Sequence, residues 1–362
     1  LSIELKDIAT KVFNNERVSF SEAVLLYQKA ELGYLGILAN HIRFKKNKNY
    51  VYFNHNFHVE PTNVCVYSCS FCSYSRLIKN REQGWELSVN DILNIIKKYD
   101  EQAVTEVHIT GGVVPKQDLF FYKELFEKIK QHRPNLHIKA LTPVEFHYIF
   151  KKAKVTYEEG LQILHQAGLG SLPGGGAEIF DKEIRDQIAG GKCTSEEWLS
   201  IHKIWHNMGL QSNATMLYGH IETFEHRVDH MDKLRKLQDE TKGFNAFIPL
   251  KFRNKDNQMA HVPEVSVIED LRNYAIARIY LDNFNHIKAY WAMIGRKTAQ
   301  LSLNFGADDL DGTIDDTTKI YSMAGSEEQN PKLTTQQLVD LIKAVGKNPV
   351  ERDTLYNIVK EY

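Results

Sequence analysis

Three cysteines within eight residues constrain this chain more than anything else in it. Cys65, Cys69 and Cys72 stand at the spacing C-x3-C-x2-C inside HNFHVEPTNVCVYSCSFCSYSR, residues 55–76. Three thiolates this close can hold three irons of a cubane iron–sulfur cluster, and no fourth cysteine stands nearby to hold the last. One iron then keeps an open position for a ligand that is not protein. A structural zinc site competes for the same residues, with His55 or His58 as an added ligand, and so does a plain core role. Zinc sites usually draw four ligands as two separated pairs, and the chain has no second C-x2-C, so the spacing favours the cluster. The remaining cysteine, Cys193, reads as a bystander in a loop, and a disulfide framework would dismantle the cluster site.

The rest of the composition excludes several classes of function. With 362 residues, 43% of them hydrophobic and 25% charged, the chain can bury one large domain or two modest ones. A formal net charge of −1 gives no electrostatic footprint for nucleic acid. No segment reaches the roughly 18 apolar residues needed to cross a bilayer. The first residues carry acids at Glu4 and Asp7, unlike a signal peptide, so the expected location is cytoplasmic, where thiols stay reduced.

Periodicity sets the expected architecture. Helices are predicted at 3–15 and 21–32, and the basic run 41–54 reads as a solvated turn that becomes β-like at Tyr50–Phe53. From residue 57 a strand-then-helix rhythm runs to about 305. Strands are predicted at 57–60, 106–110, 137–141, 169–172, 211–218, 244–250 and 288–291. Helices are predicted between them at about 88–99, 118–131, 157–167, 195–208, 224–240, 266–281 and 295–302. Repeated units without hairpin signals argue for an α/β fold, a (βα)8 TIM-type barrel, with 304–313 as the eighth segment. A doubly wound open sheet competes, but its first strand would open into a glycine-rich dinucleotide loop rather than a cysteine loop. The organisation expected is a helical lead-in (1–50), the barrel (51–325) and a C-terminal helical extension (326–362) with helices at 333–345 and 350–361.

In such a barrel the polar residues after each strand converge on one mouth. Thr110, Gly111 and Gly112 follow the second strand, where bare glycine lets backbone approach a ligand closely. Gly174, Gly175 and Gly176 follow the fourth, with Glu178 either a hydrogen-bond acceptor for a ligand or an ordinary first-turn helix acid. Asn213, Tyr218 and His220 belong to the fifth, His220 being either a proton-handling group or a hydrogen-bonded support, and Tyr290 and Trp291 to the seventh. His58 precedes the cysteine loop. Lys251, Arg253 and Arg296 are the cations expected to meet a carboxylate.

The cysteine spacing, with Phe71 before and Tyr74 after the last thiol, resembles the radical S-adenosylmethionine (SAM) superfamily. The stretches EVHITGGVVP, GLGSLPGGGAEIF, SNATMLYGHIET, LQDETKGFNAFIPL and GADDLDGT narrow the resemblance to its menaquinone and deazaflavin branch, and within that to the aminodeoxyfutalosine synthases. The resemblance spans residues 45–325. It implies a [4Fe–4S] cluster on Cys65, Cys69 and Cys72, with SAM consumed as co-substrate. Tyr74, Thr110, Gly111, Gly112, Gly175, Glu178 and Asn213 would meet SAM, and His58, Tyr218 and His220 would serve catalysis. The implied reaction adds the 5′-deoxyadenosyl radical to the enolpyruvyl double bond of 3-[(1-carboxyvinyl)oxy]benzoate. Rearrangement and loss of carbon dioxide give 6-amino-6-deoxyfutalosine and methionine, and the electron comes from a donor such as flavodoxin or ferredoxin. The cyclase that acts on dehypoxanthine futalosine and a deazaflavin synthase subunit share these motifs; a non-catalytic electron carrier would want every iron ligated.

Overall fold

A short extended segment, broken at His55, starts and closes the central sheet. In the computed structural model, which describes residues 2–315 and 319–362, its halves are β1 (Tyr50–Asn54) and β2 (Asn56–Val59). β2 pairs in parallel with β3 (Glu106–Ile109), β3 with β4 (His137–Ala140), and β4 with β5 (Leu169–Ser171). A bridge from Leu172 to Ser212 leads to β6 (Ser212–Tyr218), which pairs with β7 (Phe244–Lys251), and β7 with β8 (His286–Ile287). A second bridge, Lys288 to Asp309, leads to β9 (Asp309–Gly312), and β9 pairs with β1. The bent first strand and the seven that follow therefore close an all-parallel barrel.

The chain builds the outer helices from local signals. Ser88, Thr142, Thr156 and Thr194 each cap a helix whose third residue is Asp or Glu, and each pair closes a reciprocal capping box. Apolar strand residues such as Val107, Ile109, Ile138 and Ala140 pack outward against Ile92, Leu125 and Ile149 of those helices. Among the described residues no helix is long and apolar enough to cross a membrane.

Four expectations are corrected. The lead-in has a third helix, Leu32–Asn47, which absorbs most of the basic run read as a solvated turn; its Arg43 is buried and donates to the Tyr50 carbonyl at 3.3 Å. A helix also fills Pro143–Ala153, where none was expected. The seventh strand ends at Ile287, and Trp291 starts a short helix with its indole N–H on the Gly312 carbonyl at 2.8 Å. Finally, 350–361 is a β-hairpin: β10 (Asn348–Arg352) runs beside β1 and β11 (Ile358–Glu361) returns antiparallel. Asp353 makes that turn by accepting the N–H groups of Leu355 and Asn357, at 2.9 Å each. Thr354 at the turn reaches Glu106 inside the barrel at 2.6 Å. The helix expected at 333–345 is present as Thr335–Lys343, capped by Thr334.

Candidate active site

The loops after the strands enclose a cavity of about 250 Å³. Cys65, Cys69 and Cys72 all line it, beside Tyr67, Phe71 and Tyr74. The sulfur of Cys65 accepts the backbone N–H groups of Tyr67 and Val113, at 3.4 Å each. Burial raises the Cys65 thiol and pushes that of Cys69 up to about 11, so a ligated cation is what would hold these sulfurs as thiolates. Among the described residues no three His, Cys, Asp or Glu side chains gather closely enough to share one ion. A cubane asks each cysteine to hold a different iron, whereas one zinc ion would need its ligands drawn together.

Thr110, Gly111 and Gly112 line the same cavity, and packing of the loop gives a further reason for glycine there. A Cβ on Gly112 would run into the Val64 carbonyl, and one on Gly111 would press on the Thr62 carbonyl. Bare glycine lets this loop lie against the cysteine loop, with Gly112 N–H donating to Thr62 at 2.7 Å and Val66 N–H to Val113 at 2.8 Å. Glu145 ties the same loop to the third: it accepts the Thr110 hydroxyl at 3.1 Å, Gly111 N–H at 3.4 Å and Thr142 N–H at 2.6 Å. Burial pushes its carboxyl up to about 7 against those bonds.

Gly175, Glu178 and Asn213 also line the cavity. Gly174 and Gly176 have φ of 87° and 78°, and a Cβ on Gly174 would meet the Asn213 carbonyl, which accounts for the glycine run. Glu178 is not a helix residue: it lies in a loop, in left-handed backbone with φ 48°, where its carboxylate takes Lys192 at 2.7 Å. Lys192 in turn stands 5.2 Å from the Phe71 ring centre, and nearby Cys69 and Glu178 keep it protonated despite burial.

Three predicted site residues do not reach the cavity. Tyr218 is fully buried and donates to Asp270 at 2.8 Å. His220 is held by the Leu217 carbonyl at 3.2 Å and faces Glu222 at 3.2 Å, the support role rather than the catalytic one. His58 sits inside the barrel against His108, ring centres 4.5 Å apart, and burial drops it to about 4. The expected cations are committed elsewhere: Lys251 to Asp270, Arg253 to Glu264 and Arg296 to Glu328. The cavity instead presents Lys139, Lys288, Asp311 and His108, with Tyr290 and Tyr321 as an aromatic wall. Lys139 pairs with Glu106 and Lys288 with Asp311, at 2.7 Å each. Burial works against the charge on Asp311, yet Lys288 and Lys139 hold it down at about 2. The signal was in the sequence: charges inside EVHI, HIKA and DLDG interrupt strands that a parallel barrel otherwise fills with apolar residues.

Comparison with known proteins places this geometry. Residues 59–234 match the Radical SAM superfamily and residues 241–361 the CofH/MqnC C-terminal region. Aminodeoxyfutalosine synthase of Thermus thermophilus is 43% identical over 98% of this chain and 95% of its own. The chain belongs to the radical SAM superfamily. A second relative, cyclic dehypoxanthine futalosine synthase of Streptomyces coelicolor, is 35% identical over 98% of this chain and 88% of its own. In fold the chain is similar to methylornithine synthase, with TM-score 0.75, 16% identity and coverage of 94% and 97% of the two chains.

As a radical SAM enzyme the protein uses a [4Fe–4S] cluster and SAM. The residues present fit both groups: three thiols open on one cavity with backbone N–H groups already directed at Cys65, and polar loops border the space beside them. Its substrate is a small molecule, and the cavity has a scale to match.

Proposed function

We propose that this radical SAM enzyme is an aminodeoxyfutalosine synthase. It joins the adenosyl group of SAM to 3-[(1-carboxyvinyl)oxy]benzoate and releases carbon dioxide, 6-amino-6-deoxyfutalosine and methionine. The observation that carries the reading is the full-length similarity to the Thermus thermophilus synthase, 43% against 35% for the cyclase. The cavity supports it with the cations and aromatic walls that a dianionic aryl substrate asks for.

Cys65, Cys69 and Cys72 hold the cluster in this reading, and Tyr74, Thr110, Gly111, Gly112, Gly175, Glu178 and Asn213 border SAM. Once bound, the cluster supplies the electron that splits SAM into methionine and the adenosyl radical. The chain's own residues bind, orient and exclude water. Tyr74 is fixed for this by its hydroxyl on the Thr62 carbonyl at 2.9 Å. Glu145 holds the Thr110–Gly111 loop in place, and Tyr290 and Tyr321, ring centres 4.9 Å apart, wall off the substrate side. Flavodoxin or ferredoxin is the class of donor that fits the electron requirement.

The test is anaerobic reconstitution followed by incubation with reductant, SAM and the enolpyruvyl ether. The expected product by mass spectrometry keeps the adenosyl group and has lost carbon dioxide. Unchanged ether beside free 5′-deoxyadenosine would overturn the substrate assignment.

A further inference from the structure

His108 Nε2 is buried on the cavity wall with no hydrogen-bond partner among the described residues. Buried polar atoms are nearly always satisfied, so an orphan lining a cavity marks a place where a ligand supplies the partner. Strand register fixes its depth. His58, His108 and Lys139 stand directly opposite one another on β2, β3 and β4. Thr110 lies two residues further along, a step of roughly 7 Å in a strand. His108 and Lys139 therefore lie a full side-chain layer deeper than the loop that meets the cysteines.

The ammonium groups of this floor face the cavity more fully than their partner carboxylates do. Lys139 lines the cavity while its partner Glu106 does not, being turned to Asn56 and Thr354 inside the barrel. Lys288 and Asp311 both line it. With Glu106 counted the two ion pairs are neutral overall, but on the cavity wall itself two ammonium groups stand beside one carboxylate. The neighbouring His58 and His108 are neutral near pH 7, because burial holds both below the usual histidine range.

We propose that this floor is the subsite for the ring carboxylate of the aryl substrate, with His108 Nε2–H as the hydrogen-bond donor that reads it and the cavity-facing ammonium groups of Lys139 and Lys288 beside it. The inference rests on the functional reading above and adds the substrate's orientation. The ring lies along Tyr290 and Tyr321, and the enolpyruvyl arm points toward the cysteine loop, where the adenosyl group is delivered. His108 is a specificity-determining residue because a neutral ring substituent would give Nε2–H no charged acceptor, while Lys139 and Lys288 keep Glu106 and Asp311.

Binding of two fragments to the cluster-loaded protein with SAM tests it by calorimetry: 3-methoxybenzoate and its neutral counterpart 3-methoxybenzamide. The wild type is expected to bind the benzoate more tightly by about tenfold or more, the scale of a hydrogen bond to a charged group. His108→Phe keeps a ring in place and should abolish that preference, whereas His108→Gln, which retains an N–H donor, should recover most of it. In turnover, His108→Phe should raise KM for the enolpyruvyl ether about tenfold with kcat little changed. Iron content and circular dichroism equal to wild type establish that each variant folds and loads. If wild type and His108→Phe discriminate equally between the fragments, the subsite is overturned even where the wild type turns over the ether. If the wild type fails to convert the ether but shows the His108-dependent preference, the subsite stands and the functional reading falls.

Discussion

At the scale of single residues the site divides into groups that must be reactive and groups that must stay still. The cysteines are the first kind. Cys69→Ala should leave the protein folded but strip most of its iron after reconstitution, read as iron per chain and visible absorbance. Cys193→Ser should load normally, since Cys193 does not line the cavity and what its neighbour Arg185 binds is its carbonyl, at 2.8 and 3.1 Å. Iron loss in the Cys193 variant would contradict the assignment. These cysteines were legible because their spacing is itself the chemistry. Tyr218, His220 and Arg253 were misread because a strand-end position does not reveal whether a side chain turns inward or is already held by Asp270, Glu222 or Glu264. Lys139 and His108 do not show in a reading of strand ends because they lie within strands Glu106–Ile109 and His137–Ala140, where only their polarity marks them.

At the scale of elements the site depends on two loops lying backbone to backbone. Gly112→Ala would force a methyl group into the Val64 carbonyl and push the cysteine loop outward. Its melting temperature and its iron loading should both fall. Gly33→Ala is the contrasting case, lying in helix Leu32–Asn47 with nothing within 4 Å of the added carbon. It should stabilise the protein by a few tenths to about 1 kcal/mol, measured by urea denaturation, because alanine loses less conformational freedom in a helix. Most helices could be read from the sequence because their capping residues are local. The C-terminal hairpin could not: Leu355, Ile358 and Val359 are spaced like a helix face, and only pairing with β1, far away in sequence, makes the segment a strand.

At the scale of the whole molecule, the barrel is closed below by a side chain from its last hairpin. Thr354→Val would leave Glu106 short of one donor and should cost roughly 1–3 kcal/mol, read from the urea midpoint. The interior also carries an acid liability. His58 and His206, which are buried, and His137, which is partly so, are held near 4, whereas in the unfolded chain each takes a proton near 6.5. Between those values the unfolded state binds more protons, so stability falls as pH drops from about 6.5 toward 4. Each histidine contributes up to about 1.4 kcal/mol per pH unit within that window. A urea midpoint that stays flat from pH 7 to 4.5 would contradict the buried neutral state. Eight parallel strands were foreseeable from the repeating units; the closure through a bent first strand was not, because His55 divides one extended run into two halves with different partners.

The central claim is that the adenosyl group ends in the product, and an isotope label follows it directly. SAM labelled with carbon-13 throughout its adenosyl group would be given to the reduced, cluster-loaded enzyme together with both 3-[(1-carboxyvinyl)oxy]benzoate and dehypoxanthine futalosine. The synthase reading predicts the label in a decarboxylated benzoate–nucleoside adduct and the second compound untouched. Label recovered only in 5′-deoxyadenosine, with dehypoxanthine futalosine consumed, would contradict it and make the protein a cyclase.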